Sequence, residues 1–239
     1  MKTGLGSMLR RSSAPPLGRT NPTKNASCSE FEVDNWAISE FVVHRLVPVV
    51  GWHPFPLHEL MLMVAAVCRL EPTEIFEWGT HLGKSARIFY ECASHYRIEV
   101  NIHSTDLPDE VSHPEHPGAD RGTLVRGLPR IHLHQGDGLD TSLELWRAGG
   151  RKPRPLFFLD GDHAYESVLR ELNGILDEVP DAAVLVHDAF YQSPQSGYNI
   201  GPCQAIEFAL TARPNRYRLQ QSGLGLPGLT LLYTPPLGR

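Results

Sequence analysis

Acidic residues and histidines gather in two short clusters, Asp160-Gly161-Asp162-His163 and His187-Asp188, each following an apolar, β-like run. Carboxylates at the ends of adjacent strands can converge on one hard cation, and oxygen ligands that leave positions for water and substrate suit Mg2+. His163, three residues after Asp160, is a candidate to take a proton from a reacting hydroxyl, a role worth about 10²- to 10⁴-fold in rate. Asp162 could orient it or take a metal position. The same residues also read as plain loop caps and hydrogen-bond acceptors. A third group lies upstream, Glu77-Trp78-Gly79-Thr80-His81-Leu82-Gly83 followed by Lys84-Ser85-Ala86. Two residues without a Cβ let the backbone bend at the end of a strand and approach a ligand, and the helix behind presents unpaired N–H groups to it. Glu77 beneath the turn suits a cationic ligand better than a pyrophosphate. The G-x-x-x-G spacing also differs from the dinucleotide fingerprint. Alone, such a strand–turn–helix is equally a tight turn of some other α/β protein.

Positioning these residues requires a succession of strands. After the run Ile75–Trp78 and a helix from Lys84 to about His95, a second run spans Glu99 to Thr105 and ends in Asp106. A carboxylate roughly 20 residues past the glycine turn is placed to accept hydrogen bonds from ribose hydroxyls. Arg130–Gln135 leads to Gly136-Asp137-Gly138, Pro155–Leu159 to Asp160, and Ala182–Val186 to His187. Every run closes on a polar or acidic residue, and open α/β sheets bind ligands along that edge. Val168, Leu169, Leu172, Ile175, Leu176 and Val179 recur at helical spacing, predicting a helix over 164–179 that Pro180 closes. A shorter helix is expected over 204–210, and two final strands over 217–221 and 229–233. Between Asn35 and Leu70 lie two expected helices broken by 48–56, the second spanning 57–70. The long segment 107–130, with His113 and His116, reads as a lid or a mobile insertion; Pro114 argues against a zinc site on a helix.

The pattern E-x-G-x-x-x-G resembles the first motif of class I S-adenosylmethionine-dependent methyltransferases. LFFLDGDHAYESV followed by AAVLVHDAF is similar to the branch of macrocin-type sugar O-methyltransferases and cephalosporin hydroxylase-like proteins. It is similar more distantly to the catechol-type O-methyltransferases. The resemblance covers about residues 55 to 235 and is much less specific for substrate than for superfamily. It implies an α/β, Rossmann-like methyltransferase fold: a seven-stranded, mostly parallel sheet with helices on both faces and an antiparallel last strand. It implies S-adenosyl-L-methionine as cofactor, held by Glu77, Gly79, Thr80, Gly83, Ser85, Asp106, Gly136, Asp137 and Asp160, with Asp137 beside the adenine amino group. It implies His163 as general base and Asp160, His187 and Asp188 as ligands of Mg2+ or another divalent cation. His187 departs from the acid usual at its position, which favours a borderline metal or none. The implied activity is methyl transfer to a hydroxyl of a small molecule: a sugar, a phenol or a natural-product scaffold. Two other readings stay open, a metal-independent N-methyltransferase and a catalytically inactive cofactor-binding partner subunit.

Composition bounds these readings. The chain has 239 residues, 41% of them hydrophobic, and a formal charge of -5, which suits one soluble domain with a full core. No basic stripe points to nucleic acid, and the apolar run 60–68 is far short of the roughly 20 residues that span a bilayer. Cys28, Cys68, Cys92 and Cys203 show neither metal-ligand spacing nor a disulfide framework, which suits reduced thiols in the cytoplasm. The expected partner is a small hydroxylated substrate, with a homo-oligomer compatible. Residues 1–29 carry five basic residues and no acid, and their Ser, Thr, Pro and Gly content predicts a disordered tail rather than an organelle presequence. A single domain then spans residues 30–239, opening on a helical cap.

Overall fold

The computed structural model describes residues 20–114, 116–191, 195 and 197–235. Seven strands form one sheet: β1 (Glu74–Trp78), β2 (Asn101–Asp106), β3 (Ile131–Gln135), β4 (Leu156–Leu159), β5 (Ala183–His187), β6 (Arg218–Gln221) and β7 (Leu229–Tyr233). Their order is β3-β2-β1-β4-β5-β7-β6. The first five strands are parallel, and β7 runs antiparallel to both β5 and β6. β1, β4, β5 and β7 are buried along their whole length. Helices on both faces demand this, and it explains why these strands read as continuous apolar runs rather than alternating ones. The chain reverses strand order at β1 and β4. Such a switch point opens a crevice outside the carboxyl ends of the strands; the Asp160 cluster ends there, and His187-Asp188 ends on the next strand, β5.

One face is covered by α1 (Asn35–Phe41), α2 (Val47–Val50), α3 (Leu57–Leu70) and α4 (Lys84–Tyr96). Val64, Ile88 and Phe89 pack there with Phe158. The other face carries α5 (Gly138–Ala148), α6 (Tyr165–Glu178) and α7 (Gly201–Thr211). There Leu139, Leu143, Leu172, Ile175 and Ala205 pack against Phe76, Phe157 and Val184. Each large aliphatic residue so buried contributes roughly 1.5–3 kcal/mol. The spacing had assigned the inner side of α6 correctly, with Leu169 only partly buried. No helix among the described residues is long and apolar enough to cross a membrane.

Four expectations are corrected. Pro48 does not break the first helix: it occupies the first turn of α2, reached from α1 through a π-helical turn over Val42–Leu46. Helical backbone runs on through the junction, where the Val47 N–H reaches Val42 five residues back, so the missing donor of Pro48 is absorbed at an irregular π-helical turn, and the chain turns instead at Gly51, with φ of 70°. Residues 20–29, expected in the tail, are part of the described fold. Asn21 donates to the carbonyl of Cys68, Thr23 pairs with Val33, and Arg69 reaches back to the carbonyl of Glu30; the rest of the expected tail lies outside the described residues. The helix expected between β3 and β4 had no bounds; it is α5, where Leu139, Leu143 and Trp146 follow helical spacing behind Asp137. α7 begins three residues early, at Gly201, with Pro202 in its first turn.

Candidate active site

At the carboxyl end of β1, Glu77 is fully buried. Its Oε1 accepts from the Ser104 hydroxyl at 2.6 Å, and Ser104 in turn contacts the Thr80 hydroxyl at 2.7 Å. Oε2 makes no hydrogen bond among the described residues. Burial raises the Glu77 carboxyl to about 7, against the pull of the Ser104 hydrogen bond. α4 then starts at Gly83 without any side-chain cap, and the Ser85 hydroxyl and Ala86 N–H at its start draw on the Glu77 carboxyl, so helix N–H groups and a buried carboxylate flank the same turn. A group with positive charge and hydrogen-bond acceptors fits that pair. Ser85 is buried at the start of α4.

The two glycines act differently from expectation. At Gly79, with φ of 90°, a Cβ would come within 2.1 Å of the carbonyl oxygen of Asp160. Glycine here lets the ends of β1 and β4 touch, and the space it frees is filled by protein backbone rather than by a ligand. At Gly83, with φ of 86°, a Cβ would meet Val125 at 2.8 Å and Cα of Gly122 at 3.3 Å. The segment 107–130 is therefore packed on the turn. Gly122 N–H donates to the carbonyl of His81, Leu124 N–H to that of Leu82, and Arg87 donates to the carbonyl of Leu124.

Asp106, the last residue of β2, accepts the N–H of His81 at 2.8 Å and of Leu107 at 2.8 Å, which leaves lone pairs on both oxygens. Gly136, with φ of 147°, donates its N–H to the carbonyl of Asp106. Asp137 caps α5 through the N–H of Asp140 and pairs with Arg170 at 2.5 Å. Both contacts hold its carboxyl below the usual range although partial burial opposes them. Trp78 forms the floor between these turns: a Cβ on Gly138 would lie 2.3 Å from its ring, and one on Gly161 would lie 3.0 Å away.

The second acidic group assembles between β4, β5 and α3. His187 is buried, with Nδ1 2.8 Å from Asp160 Oδ1 and Nε2 3.2 Å from Glu59 Oε2. The Asp160 contact is an ion pair without the alignment of a hydrogen bond. Burial disfavours the imidazolium, but Asp160, Glu59 and Asp188 together outweigh it and raise the group to about 10. Glu59, itself fully buried, also accepts the N–H of Gly228 at 2.7 Å. Asp188, with φ of 54°, accepts from the Tyr198 hydroxyl at 2.6 Å. His163 Nε2 stands 3.4 Å from Asp188 Oδ2 and 3.9 Å from Asp160 Oδ1, its side chain 30% exposed. Asp162 neither orients His163 nor joins the cluster. It caps α6 through the N–H of Ala164 and the Ser167 hydroxyl, and it makes no hydrogen bond to His163 among the described residues.

Asp160, His163, His187 and Asp188 are thus brought together, and Glu77, Thr80 and Ser85 lie one strand away. Asp160, His187 and Asp188 do not form a metal-holding group among the described residues, because a carboxylate stands at each ring nitrogen of His187. The sequence reading missed Glu59, Tyr198, Trp78 and Arg121. Only Glu59 left a trace, as the sole acid in the apolar run of α3; its partnership with His187 spans 128 residues.

Residues 76–189 match the model of a family described as a methyltransferase domain. No curated protein matches the chain. Among solved structures, the S-adenosylhomocysteine-bound Podospora anserina methyltransferase PaMTH1 is 18% identical, with a TM-score of 0.53, covering 84% of this chain and 87% of its own. CalS11, a calicheamicin methyltransferase, is 18% identical with a TM-score of 0.52, covering 82% of this chain and 85% of its own. An O-methyltransferase from Bacillus cereus in complex with S-adenosylhomocysteine is 15% identical with a TM-score of 0.50, covering 83% and 91%.

Proposed function

We propose that this chain, whose residues 76–189 match a methyltransferase domain, is a class I S-adenosylmethionine-dependent methyltransferase that methylates a hydroxyl of a small molecule with His163 as general base. The observation carrying this reading is the position of His163 between Asp160 and Asp188, beside the crevice that Glu77 and the start of α4 line. S-adenosylmethionine supplies a methyl group already activated on a sulfonium. The chain therefore has two tasks, alignment and proton removal. Glu77 offers its charge to the cationic ligand, the α4 N-terminus offers N–H donors, and Asp106 offers acceptor lone pairs to the ribose. Asp137, Gly136 and Trp78 bound the far end, where an adenine ring fits. Nε2 of His163 faces Asp188, which orients the ring and stabilises the imidazolium once the proton is taken. Nδ1 is then the nitrogen for the acceptor hydroxyl.

The donor set fits a metal poorly. A cation between Asp160 and Asp188 would have to draw Asp160 from His187, whose raised proton affinity already supplies a positive charge there. The charge-balancing role falls instead to the His187 imidazolium. The relation to CalS11, a TDP-rhamnose 3'-O-methyltransferase, supports a sugar or natural-product scaffold as acceptor. The reduced cysteines, Cys68 and Cys92 with sulfurs 3.9 Å apart, support a cytoplasmic setting.

The test is kinetic. His163→Ala should lower turnover by about 10² or more, and by less at high pH, where hydroxide replaces the base. Turnover should persist in EDTA and respond little to added Mg2+ or Mn2+. Normal turnover of His163→Ala at neutral pH would remove the base, and abolition by EDTA would restore a metal between Asp160 and Asp188.

A further inference from the structure

Arg121 sits in the middle of the segment 107–130 yet is only 9% exposed. Its guanidinium makes three contacts that fasten this segment to the end of β2: Nη1 donates to Asp109 at 2.6 Å, Nη2 donates to the carbonyl of Leu107 at 2.6 Å, and Nη2 contacts His116 Nε2 at 3.1 Å. The remaining nitrogen, Nε, is buried and without a hydrogen-bond partner among the described residues. It stands 3.8 Å from Oδ2 of Asp106, beyond hydrogen-bond reach. A buried, unmade donor beside a carboxylate costs free energy, so the arrangement requires a reason. Asp106 supplies one. Its two oxygens are held by the N–H groups of His81 and Leu107, and Leu107 is the residue whose carbonyl Arg121 grips. The guanidinium thus fixes both the carboxylate's neighbour in the chain and the charge facing it.

We propose that Arg121 is a positioning residue for donor binding, holding Asp106 in the orientation that accepts the ribose hydroxyls, and that the segment 107–130 is a fixed wall of the donor site rather than a lid. Its neighbours agree with this role. Gly83 and Gly122 both have left-handed φ, and the space where their side chains would be is taken by Val125 and Leu133. The segment therefore packs on the glycine turn itself. A lid that opened with each turnover would have to break the contacts of Arg121, Gly122 and Leu124 together. The proposal rests on the reading of Asp106 as the ribose acceptor.

The test uses the full chain and calorimetric affinities for S-adenosylhomocysteine and for its 2',3'-dideoxyribose analogue. Asp106→Asn should weaken the parent ligand about tenfold and the analogue hardly at all. Arg121→Gln should do the same, and adding it to Asp106→Asn should cost little more, because residues acting as one unit are not additive. Arg121→Lys keeps a cation but loses the forked grip, and should show the same hydroxyl-dependent loss at about threefold. It also carries the test if Arg121→Gln does not fold. Equal weakening of both ligands by the Arg121 variants would make the residue a structural strap only and overturn the proposal, as would no weakening of either. If Asp106→Asn shows no hydroxyl-dependent loss, the ribose reading itself is wrong and the proposal falls with it.

Discussion

Glu77 shows how one side chain can be tuned for a charged ligand by burial alone. Removed from water, its carboxyl is raised to about 7, so at neutral pH it is near half-ionised before anything binds. A cation bound beside it favours the ionised form. Affinity for S-adenosylmethionine should therefore climb as pH rises from about 6 to about 8 and level off above, and Glu77→Gln should flatten that profile; calorimetry across the range measures both. A wild-type affinity independent of pH would place the sulfonium away from Glu77. His187 is the opposite case, a buried imidazole that three carboxylates keep charged. The identity of these two residues was plain in the sequence, while their protonation follows from neighbours brought in by other elements.

At the scale of elements, the turn after β1 joins three pieces of chain through two glycines. At Gly79 a side chain would collide with the backbone at the end of β4, and backbone in a parallel sheet has nowhere to move. Gly79→Val should leave little folded protein, and what remains should melt far below the wild type, so loss of ligand binding in that variant says nothing of ligand contact. Gly83 meets the side chain of Val125 instead. Gly83→Ala should cost about 1–3 kcal/mol in urea unfolding, and Val125→Ala on that background should recover part of it. The part tied to the positive φ stays lost. Absence of any recovery would mean that the segment 107–130 does not rest on this turn.

For the whole molecule, the raised groups govern stability against pH. Glu77 and Glu171 are each raised to about 7 and His187 to about 10. All three bind protons more tightly folded than unfolded, so each contributes stability that is complete below its unfolded value and is lost as pH rises to its folded one. For the glutamates that window runs from 4.5 to about 7, and for His187 from 6.5 to about 10. The melting temperature should decline from about pH 5 to about pH 10, the unfolding free energy falling by at most ~1.4 kcal/mol per pH unit for each titrating group. In a Glu59→Gln variant the decline above about pH 7 should end at a lower pH, since His187 then loses a carboxylate partner and its folded value falls toward the unfolded one. A melting temperature that rises with pH through this range would contradict the burial of these groups.

The succession of strands along the chain, the polar or acidic clusters that close β2 to β5, the span of α3 and the inner face of α6 were determined by the sequence alone. They depend on local physics: apolar runs that must be buried on both sides, helical spacing, and glycine where the chain turns sharply. The resemblance carried by E-x-G-x-x-x-G and D-G-D-H pointed to the methyltransferase domain that residues 76–189 match for the same reason, because each motif lies within a single strand–turn–helix. Contacts between distant segments were decided only by tertiary structure. Glu59 meets His187 because α3 packs over β5, Tyr198 meets Asp188 across a loop, and Arg121 reaches Asp106 because the segment 107–130 folds back on the turn. No spacing rule encodes those meetings. The same holds for Gly79, whose need for a hydrogen in place of a side chain arises from a carbonyl 81 residues away in sequence (79 to 160), brought there by the pairing of β1 with β4.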